Sequence, residues 1–405
     1  MRILMVTEDL PHPAPGGLAR HVLTLGQALQ QAGHHVDYLG NGCSPTAWLL
    51  SRLSPGQQLY TLLGSPPRGW KERSTGAFNP YRRPYTARRY AQAVVAIADN
   101  YDVVHYHGHF PNIAHYLPSH INFVQTRHDQ GSDCLMQIRF RNGAVCTETA
   151  PEACAECAVD GPNSLQRCVS AWAVRRFRRE VVSAFRRHKV IFVSESIRRS
   201  WLRCAGPGEW GAVVHNFIDY GQVQAAQEQP PAIARRSRYN VFIAAKLYQP
   251  KGVGALLECL QGRLPSDMQL VIAGEGMQMS ELQARYAGDT VTFLGWLDYP
   301  ELLARCAGAD LVVVPSLLEE SCATTILEAL ALGRPTMSLA RGGTPELQCY
   351  ARYPGQLLLF DAMQDLADRL ITYRECHTRT DWPDFCGDVA AGIPRILEIY
   401  RTVPE

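Results

Sequence analysis

Short apolar runs alternate with amphipathic segments along both halves of the chain. Residues 310–314 read DLVVV, a valine-rich run that Pro315 ends, and this pattern is typical of a buried parallel strand. Residues 324–332 then carry apolar positions in helical spacing before a glycine and a proline. The chain opens in the same way, with a strand predicted over residues 2–7, a helix, and a second strand over residues 35–39. Strands that alternate with helices predict an α/β protein with two doubly wound parallel sheets.

The length and composition fit two globular domains. A chain of 405 residues is long enough for two cores, and 46% hydrophobic with 19% charged residues is typical of a water-soluble protein. No apolar run approaches the roughly 20 residues that span a bilayer, and Glu8 and Asp9 come too early for a secretory signal. Thirteen cysteines, an odd number spread over both halves, do not fit a disulfide framework. We therefore expect a cytoplasmic protein.

Two carboxylates flank the start of the helix predicted at residue 324. Glu320 falls in the loop before the helix, and Glu328 falls about one turn inside it. Between them lie the first backbone N–H groups of the helix, which have no partners within the helix and bind phosphate. Phosphate on the amides and hydroxyl groups on the carboxylates together describe a nucleoside diphosphate sugar. On its own, such a pair is more often solvated charge on a surface helix.

Further sequence blocks accompany the glutamate pair, and together they resemble a known family. The pair resembles the signature of retaining glycosyltransferases with the two-domain GT-B fold, and the chain is identified as a member of glycosyltransferase family 4 (glycosyl transferases group 1). Near the amino terminus, Gly16 and Gly17 with the following Arg20 and His21 are similar to the family's glycine-pair loop. The other matching blocks are GH-V at 33–36, VFIAAKLYQPKGVGALLECL at 241–260, VIAGEG at 271–276, FLGW at 293–296 and GGTPE at 342–346.

The resemblance implies two doubly wound Rossmann-like domains that face a central cleft. It implies an acceptor-binding domain over residues 1–218, with a cysteine-bearing insertion at about 134–168. A nucleotide-sugar-binding domain follows over residues 219–388, and a C-terminal helix within residues 389–405 crosses back to the first domain. The boundary is expected in a polar segment around the proline pair at 230–231.

The resemblance also assigns roles to residues of the second domain. Lys246 and Lys251 would neutralise the diphosphate and stabilise the leaving group, so that no metal ion or other cofactor is required. Glu320 would bind hydroxyls of the transferred sugar, and Glu328 those of the ribose. Lys246 stands where the family usually has arginine, which keeps the charge but loses bidentate binding of phosphate. The amides of Gly342 and Gly343 would face the donor, with Glu346 nearby. The other implied substrate-binding residues are Ser321, Thr324 and Thr325, with Asn216 at the domain boundary.

In the first domain the resemblance implies that Gly16, Gly17 and His21 bind substrate and that His128 is catalytic. His128 follows the strand-like run INFVQT and is similar to the family histidine that contacts the transferred sugar across the cleft. In this family the acceptor is thought to attack the face that the nucleotide leaves, and the β-phosphate takes its proton. No protein nucleophile is therefore implied.

Other polar residues of the first domain are open to two interpretations. His105, His107 and His109 alternate at the end of a predicted strand and should lie on one face, either as the lining of a polar cleft or as a metal site. Asp129 and Asp133 follow His128 closely and are candidates for orienting the acceptor.

The insertion is rich in cysteine, with Cys134 and a C-x-x-C pair among its members. One interpretation is a structural zinc site, and the other is a loop of thiols that shapes the acceptor site. The four candidate zinc ligands are Cys146, Cys154, Cys157 and Cys168.

The net charge of +2 conceals a basic first half. Residues 1–218 hold 24 Lys and Arg against 15 Asp and Glu, a net charge of +9, which leaves −7 for the remainder. Much of the excess lies in residues 174–189, on a predicted helix with an apolar stripe. This helix either packs on the core with a solvated basic face, or it holds the protein on anionic lipid at the inner face of the membrane. Nucleic acid is not an expected partner, because no recognised nucleic-acid motif accompanies the basic residues.

Several functions remain open at this stage. Within the transferases, the donor base and sugar stay open, and the acceptor is either a lipid-linked saccharide of a surface polysaccharide or a small soluble molecule such as an antibiotic aminocyclitol. The basic first half favours the lipid-linked acceptor. A nucleotide-sugar 2-epimerase and a non-catalytic sugar-binding protein share the architecture, although the retained lysines favour a transferase. An NAD-dependent oxidoreductase is disfavoured, because no G-x-G-x-x-G follows the first strand.

Overall fold

The structure is a computed structural model that describes residues 1–8, 10, 16–42, 46–64, 77–157, 164–228, 238–375 and 385–402. The chain divides into two compact units. The boundary predicted after residue 218 lies close to His215, and the proline pair at 230–231 lies outside the described residues. The first unit comprises Met1–Arg139, Cys146–His215 and Val389–Glu405, and the second comprises Phe140–Val145 and Asn216–Asp388.

Seven parallel strands form the sheet of the first unit, and a short antiparallel hairpin follows its fifth strand. The sheet order is β3-β2-β1-β4-β5-β8-β9, and β6 and β7 form the hairpin, which groups with the second unit as Phe140–Val145. The strands are β1 (Arg2–Val6), β2 (His35–Leu39), β3 (Leu59–Tyr60), β4 (Val103–His107), β5 (Phe123–Arg127), β6 (Phe140–Arg141), β7 (Ala144–Val145), β8 (Lys189–Phe192) and β9 (Ala212–Val213). Both β4 and β5 are buried along their whole length, as parallel strands covered on both faces should be.

The helices of the first unit connect these parallel strands. They are α1 (Gly17–Gln31), α2 (Thr46–Leu50), α3 (Arg83–Ala98), a 3-10 turn (Ile113–Tyr116), α4 (Pro151–Glu156), α5 (Ser164–Arg187) and α6 (Glu195–Ala205). Helix α1 differs from its prediction, because it already begins at Gly17 and therefore includes His21.

Helix α5 contains most of the predicted segment 174–189. Its apolar stripe packs inward, with Val174, Phe177, Val181 and Phe185 all buried. The opposite face exposes Arg175, Arg176, Arg179, Arg186 and Arg187. The helix is therefore amphipathic, with a basic outer face.

Six parallel strands form the sheet of the second unit, in the order β12-β11-β10-β13-β14-β15. The strands are β10 (Tyr239–Ala244), β11 (Met268–Ala273), β12 (Val291–Gly295), β13 (Leu311–Val314), β14 (Thr336–Leu339) and β15 (Leu357–Phe360). The helices are α7 (Tyr220–Glu228), α8 (Val253–Leu260), α9 (Met279–Tyr286), α10 (Tyr299–Ala307), α11 (Thr324–Ala331) and α12 (Met363–Thr372), with 3-10 turns at Gln249–Lys251 and Thr344–Tyr350.

The core of the second unit lies between this sheet and its helices. Val241, Leu270, Val313 and Leu256 are fully buried in it. Burial of each such side chain stabilises the fold by roughly 1.5–3 kcal/mol. The valine run predicted as a strand over residues 310–314 forms the central strand β13, and its residues are buried because both faces of the sheet are covered.

The last helix, α13 (Val389–Arg401), groups with the first unit although the second unit precedes it in sequence. Its Tyr400 is buried, and the Tyr400 hydroxyl lies 2.6 Å from Nδ1 of His105. Lys189 donates from Nζ to the carbonyl of Tyr400 at 3.1 Å. These contacts fix α13 against β4 and β8.

Two parallel, doubly wound α/β sheets were predicted, and both are present. No helix in the described part of the chain is both long and apolar enough to cross a membrane.

Candidate functional site

The second unit brings a lysine and a glutamate together at one edge of its sheet. Strands β10 and β13 are parallel neighbours, so the loops that follow them leave from the same edge. Lys251 comes from the loop after β10, and Glu320 from the loop after β13. Nζ of Lys251 lies 2.5 Å from Oε1 of Glu320. The Ser316 hydroxyl donates to the same carboxylate oxygen.

The backbone around Lys251 is tightly packed. Gly252 follows it with φ +72°, and a Cβ at this position would lie 1.9 Å from the carbonyl oxygen of Pro315. Only glycine fits both the left-handed conformation and this close approach. Burial lowers the pKa of Lys251, but the charge of Glu320 and the hydrogen bond to it outweigh burial and raise the pKa above its usual value. Lys251 is therefore held as an ammonium ion.

Lys246 has different surroundings from Lys251. Its side chain is exposed, and Nζ is 5.7 Å from the centre of the Tyr248 ring. The two lysines predicted to share one diphosphate thus differ in setting, since Lys251 is anchored by a carboxylate and Lys246 extends toward solvent.

Helix α11 begins at Thr324, as predicted, and places Glu328 one turn inside. Glu328 is buried at 2% exposure, and Glu320 at 8%. Solvated surface charge would be exposed, so burial argues against that interpretation of the pair. The loop between the two glutamates is held by Asn216, which donates from Nδ2 to the Cys322 carbonyl at 3.1 Å.

The glycine pair at 342–343 lies directly against the loop of Glu320. Gly342 has φ +58°, and a Cβ there would approach the Glu320 carbonyl oxygen to 2.3 Å. The amide of Gly343 donates to the same carbonyl at 2.7 Å. The expectation that both glycine amides face the donor is therefore corrected, because the Gly343 amide binds the protein backbone. Glu346 is half-buried in the first turn of the 3-10 helix that follows.

In the first unit, Gly16 and Gly17 lie at the start of α1, and both are exposed. His21 lies one turn into the helix and is buried. Burial lowers the pKa of His21 to about 3, so that its imidazole is neutral near pH 7.

His21 meets two further histidines at the carboxyl edge of the first sheet. The His21 ring is 4.7 Å from the His128 ring and 5.4 Å from the His107 ring, measured between centroids. Nδ1 of His107 lies 3.0 Å from Nε2 of His128. Burial and the neighbouring cations and histidines hold the pKa values of His107 and His128 well below their usual range.

The three alternating histidines do not form one cluster. His105 and His107 do share a face of β4, with ring centroids 4.0 Å apart. However, His105 is engaged by the hydroxyls of Tyr400 and Thr126 at 2.6 and 2.7 Å. His109 lies beyond the strand and pairs with Asp129 at 3.3 Å.

Asp129 and Asp133 serve the structure of the first unit. Asp129 pairs with Arg127 as well as His109. Asp133 is buried and forms an ion pair with the buried Arg139, and the Ser200 hydroxyl donates to Asp133 at 3.1 Å. Both carboxylates therefore already have partners in the first unit, and the structure does not support the prediction that they orient the acceptor.

The four cysteines proposed as zinc ligands are not gathered into a metal site. Cys154 lies on α4 and accepts from Arg178 at 3.2 Å, whereas Cys168 is exposed on α5. Within the described residues, one group of three or more histidine, cysteine or acidic side chains lies close enough to hold a metal ion, and it consists of His21, His107 and His128.

Two features of the structure were not predicted from the sequence, namely Ser316 and the pairing of His107 with His21 and His128. Ser316 had no motif to mark it, because its role depends on the turn after β13. The histidines come from α1, β4 and the end of β5, so the sheet topology was needed to bring them together.

Comparisons with known proteins agree with this architecture. Residues 238–374 match the family Glycosyl transferases group 1, and residues 15–222 match Glycosyltransferase Family 4. The chain is 28% identical over 363 residues to a glycogen synthase of Mycobacterium tuberculosis, covering 85% of this chain and 80% of that protein. It is 31% identical over 112 residues to a GDP-mannose-dependent monoacylated alpha-(1-6)-phosphatidylinositol monomannoside mannosyltransferase of Corynebacterium glutamicum, which covers 25% of this chain and 29% of the relative.

A solved structure extends the likeness to the whole fold. The crystal structure of Anabaena HepE in complex with UDP-glucose aligns with 100% of this chain and 98% of its own, with a TM-score of 0.59 and 17% identity. The fold is thus that of the GT-B glycosyltransferases. The match to Glycosyltransferase Family 4 spans about half of the chain, and the match to Glycosyl transferases group 1 lies in the second unit. The protein therefore belongs to Glycosyltransferase Family 4 and is a glycosyltransferase of the hexosyltransferase class.

Proposed function

We propose that the protein transfers a hexose or N-acetylhexosamine from a nucleoside diphosphate sugar to a hydroxyl acceptor, with retention of anomeric configuration. The observation that carries this proposal is the contact of Lys251 with Glu320 at the edge of the second sheet. The contact supports the proposal because the cation is suited to a diphosphate and the neighbouring carboxylate is suited to sugar hydroxyls. Open α/β sheets bind their ligands at this edge.

Each predicted site residue of the second unit then has a role. Lys251 and Lys246 bind the diphosphate and stabilise the charge that develops on it as the sugar leaves. Glu328 accepts from the ribose hydroxyls, and Glu320 from hydroxyls of the transferred sugar. Ser321, Thr324, Thr325 and the Gly342 amide surround the donor, whereas Asn216 and Gly343 hold the Glu320 loop in place, with Glu346 beside it.

The transfer itself needs no nucleophile from the protein. The acceptor hydroxyl attacks the anomeric carbon on the face that the diphosphate leaves, the glycosidic bond to the diphosphate breaks, and a phosphate oxygen takes the hydroxyl proton. The roles of His128, His21, Gly16 and Gly17 in binding the transferred sugar and the acceptor remain predictions of the family resemblance.

A lipid-linked acceptor is favoured by one surface of the first unit, the basic aromatic surface. The Tyr81 hydroxyl hydrogen-bonds to Ser170, which joins the start of α3 to α5. Trp172 is 51% exposed and Tyr85 is 73% exposed. The surface consists of Tyr81, Tyr85, Leu165, Val169 and Trp172 with Arg175, Arg176 and Arg179.

Apolar and basic groups in this combination suit anionic lipid. Indole and phenol rings settle at the boundary between headgroups and acyl chains, and arginines are attracted to anionic headgroups. On α5, Leu165, Val169 and Trp172 follow helical spacing and form one stripe. We propose that this surface rests on an anionic membrane and brings the enzyme to a lipid-linked saccharide. The mannosyltransferase relative from Corynebacterium is named for such a lipid acceptor.

The test begins with binding of the donor. The melting temperature is measured with UDP-, GDP-, ADP- and dTDP-sugars and with NAD, since a ligand of the folded state raises it according to affinity and concentration. A shift with one nucleotide-sugar supports the proposal and identifies the donor. NMR of the product then reports the anomeric configuration, and inversion would refute retention. Release of free nucleotide that occurs only with an acceptor distinguishes a transferase from a 2-epimerase, whereas stabilisation by NAD alone contradicts the proposal.

A further inference from the structure

Three buried or partly buried histidines converge at the carboxyl edge of the first sheet. One ring nitrogen from each of His21, His107 and His128 lies within 4.8 Å of the other two. They come from α1, the end of β4 and the residue after β5, so three separate elements of the fold fix their positions.

The spacing of these nitrogens is close to that of a metal site. Zinc–nitrogen bonds of about 2.0–2.1 Å in a tetrahedron place ligand nitrogens roughly 3.3 Å apart. The three candidate nitrogens lie within 4.8 Å of one another, so the side chains must move closer together when they bind an ion.

The rings are suited to donate lone pairs. Nε2 of His107 is buried and makes no hydrogen bond to any residue that the structure describes. Buried polar atoms are normally satisfied, and the described part of the chain provides no partner for this nitrogen.

We infer that His21, His107 and His128 form a binding site for a divalent transition-metal ion, with Zn²⁺ as the preferred occupant. Three imidazoles without a carboxylate suit Zn²⁺ and its neighbours in the first transition row, whereas Mg²⁺ and Ca²⁺ require oxygen ligands. Three protein ligands leave a fourth position open to water or another small ligand. His21 and His107 are buried while His128 is partly exposed, which gives the ion a route to the site.

This inference does not depend on the proposed function. The diphosphate is assigned to lysines of the second unit, whereas His21 and His128 are also the residues that the family resemblance assigns to the transferred sugar and the acceptor. Metal binding is therefore measured directly, without reference to transferase activity. The Cys154 and Cys157 thiols are the main competing ligands, and the experiment must distinguish thiols from imidazoles.

The experiment uses the full chain without a polyhistidine tag, after removal of metal by a chelator. Calorimetric titration with Zn²⁺ should give one ion per chain, and Co²⁺ should give visible absorption without the intense near-ultraviolet bands of thiolate ligands. His107→Gln and His128→Asn should each weaken binding by more than about 100-fold, since even loss of an outer partner of a ligand costs 10–100-fold.

Two matched variants serve as controls. His120→Gln removes an exposed histidine away from the cluster, and Cys154→Ser/Cys157→Ser removes the thiol pair. Both should retain one Zn²⁺ per chain with unchanged affinity. Circular dichroism without metal confirms that each variant is folded, and the partly exposed His128 offers a milder change if His107→Gln fails to fold. Absence of stoichiometric binding by the wild type, undiminished binding by folded His107→Gln and His128→Asn, or loss of binding in the cysteine variant overturns the inference.

Discussion

Lys251 and Glu320 form a direct ion pair, 2.5 Å from Nζ to Oε1, between the loops that follow two neighbouring parallel strands. Both side chains are largely withdrawn from water, at 25% and 10% exposure. The pair links the proposed phosphate site to the proposed sugar site. A diphosphate that binds the ammonium group of Lys251 competes with Glu320 for it, so binding of the donor and placement of the Glu320 carboxylate are coupled.

The first prediction concerns Lys251→Ala. Removal of the ammonium group takes away the charge that stabilises the departing diphosphate, and we expect kcat to fall by about 10²–10³-fold, as for loss of one preorganised donor. Lys251→Arg keeps the charge and should recover part of the activity. Steady-state kinetics with the donor identified by thermal shift measures the effect.

Arg263→Ala is the matched control for Lys251→Ala. Arg263 is an exposed cation of the same unit that pairs with Asp368, so its removal should leave kcat unchanged. If Lys251→Ala is folded and turns over at the wild-type rate, Lys251 does not stabilise the leaving group.

Glu328→Gln tests binding of the ribose. The substitution keeps the size of a buried side chain but replaces a charged acceptor, and hydrogen bonds to charged groups contribute about 1.5–3 kcal/mol. We therefore expect the KM for the donor to rise by about 10- to 100-fold, with a smaller thermal shift at fixed donor concentration. Glu301→Gln, on the exposed face of α10, should leave both quantities unchanged. An unaltered KM in Glu328→Gln would remove this residue from the donor site.

Gly342→Ala and Gly355→Ala separate two costs of replacing glycine. Both residues have positive φ, +58° and +80°, so alanine at either position costs about 1–2 kcal/mol in a left-handed conformation. At Gly355 nothing lies near the added Cβ, whereas at Gly342 the Cβ would lie 2.3 Å from the Glu320 carbonyl oxygen. Only Gly342→Ala should also displace the Glu320 loop. We expect it to lose more free energy of unfolding in urea and to abolish the thermal shift with donor; equal effects of the two substitutions would show that this contact is unimportant.

The sequence predicted the strand and the helix around Glu320 and Glu328 well because the signals for them are local. Thr324 opens α11 and Glu328 lies one turn inside it, as the apolar spacing indicated. The buried strand before Glu320 followed from its valines. A loop and a helix that are adjacent in the chain need no tertiary information to be placed.

The features that escaped the sequence depend on contacts between distant segments. The Gly343 amide was expected to face a ligand, yet it binds the Glu320 carbonyl because the two loops leave the sheet side by side. Similarly, His107 resembled a member of an alternating triplet, but its partners come from α1 and the end of β5. Spacing along one strand predicts a shared face, and it does not predict which other elements cover that face.

The basic aromatic surface should bind anionic vesicles. Arg175→Gln/Arg179→Gln removes two charges, and each basic residue near an anionic surface contributes about 1 kcal/mol, so partitioning onto phosphatidylglycerol vesicles should weaken by roughly 30-fold. Trp172→Ser should weaken it further by removing the exposed indole. Cosedimentation with vesicles at fixed ionic strength measures both.

Arg263→Gln/Arg285→Gln is the control for the membrane experiment, since it removes two exposed arginines of the second unit. This control variant should leave vesicle binding unchanged. When all vesicles consist of uncharged phosphatidylcholine, we expect no difference between the variants. Equal loss in both double variants would mean that net charge, and not the basic aromatic surface, governs binding.

His188 makes the stability of the first unit depend on pH. It lies between α5 and β8, is 4% exposed, and its ring is 5.6 Å from that of Phe123. Burial, with a smaller contribution from Arg187, lowers the pKa of His188 to about 4. In the unfolded chain the pKa of His188 is near 6.5, so between about pH 6.5 and pH 4 the unfolded chain binds a proton at His188 and the folded chain does not. The stability of the folded state is therefore lost as the pH falls from about 6.5 to 4. At pH 5 the loss from this group is about 2 kcal/mol.

In His188→Leu, the free energy of unfolding in urea should fall less between pH 7 and pH 5 than in the wild type, and comparing two pH values within each protein cancels the packing cost of leucine. His120→Gln, at an exposed histidine, should keep the wild-type pH dependence. An identical loss in His188→Leu and the wild type would show that His188 is not buried as a neutral imidazole.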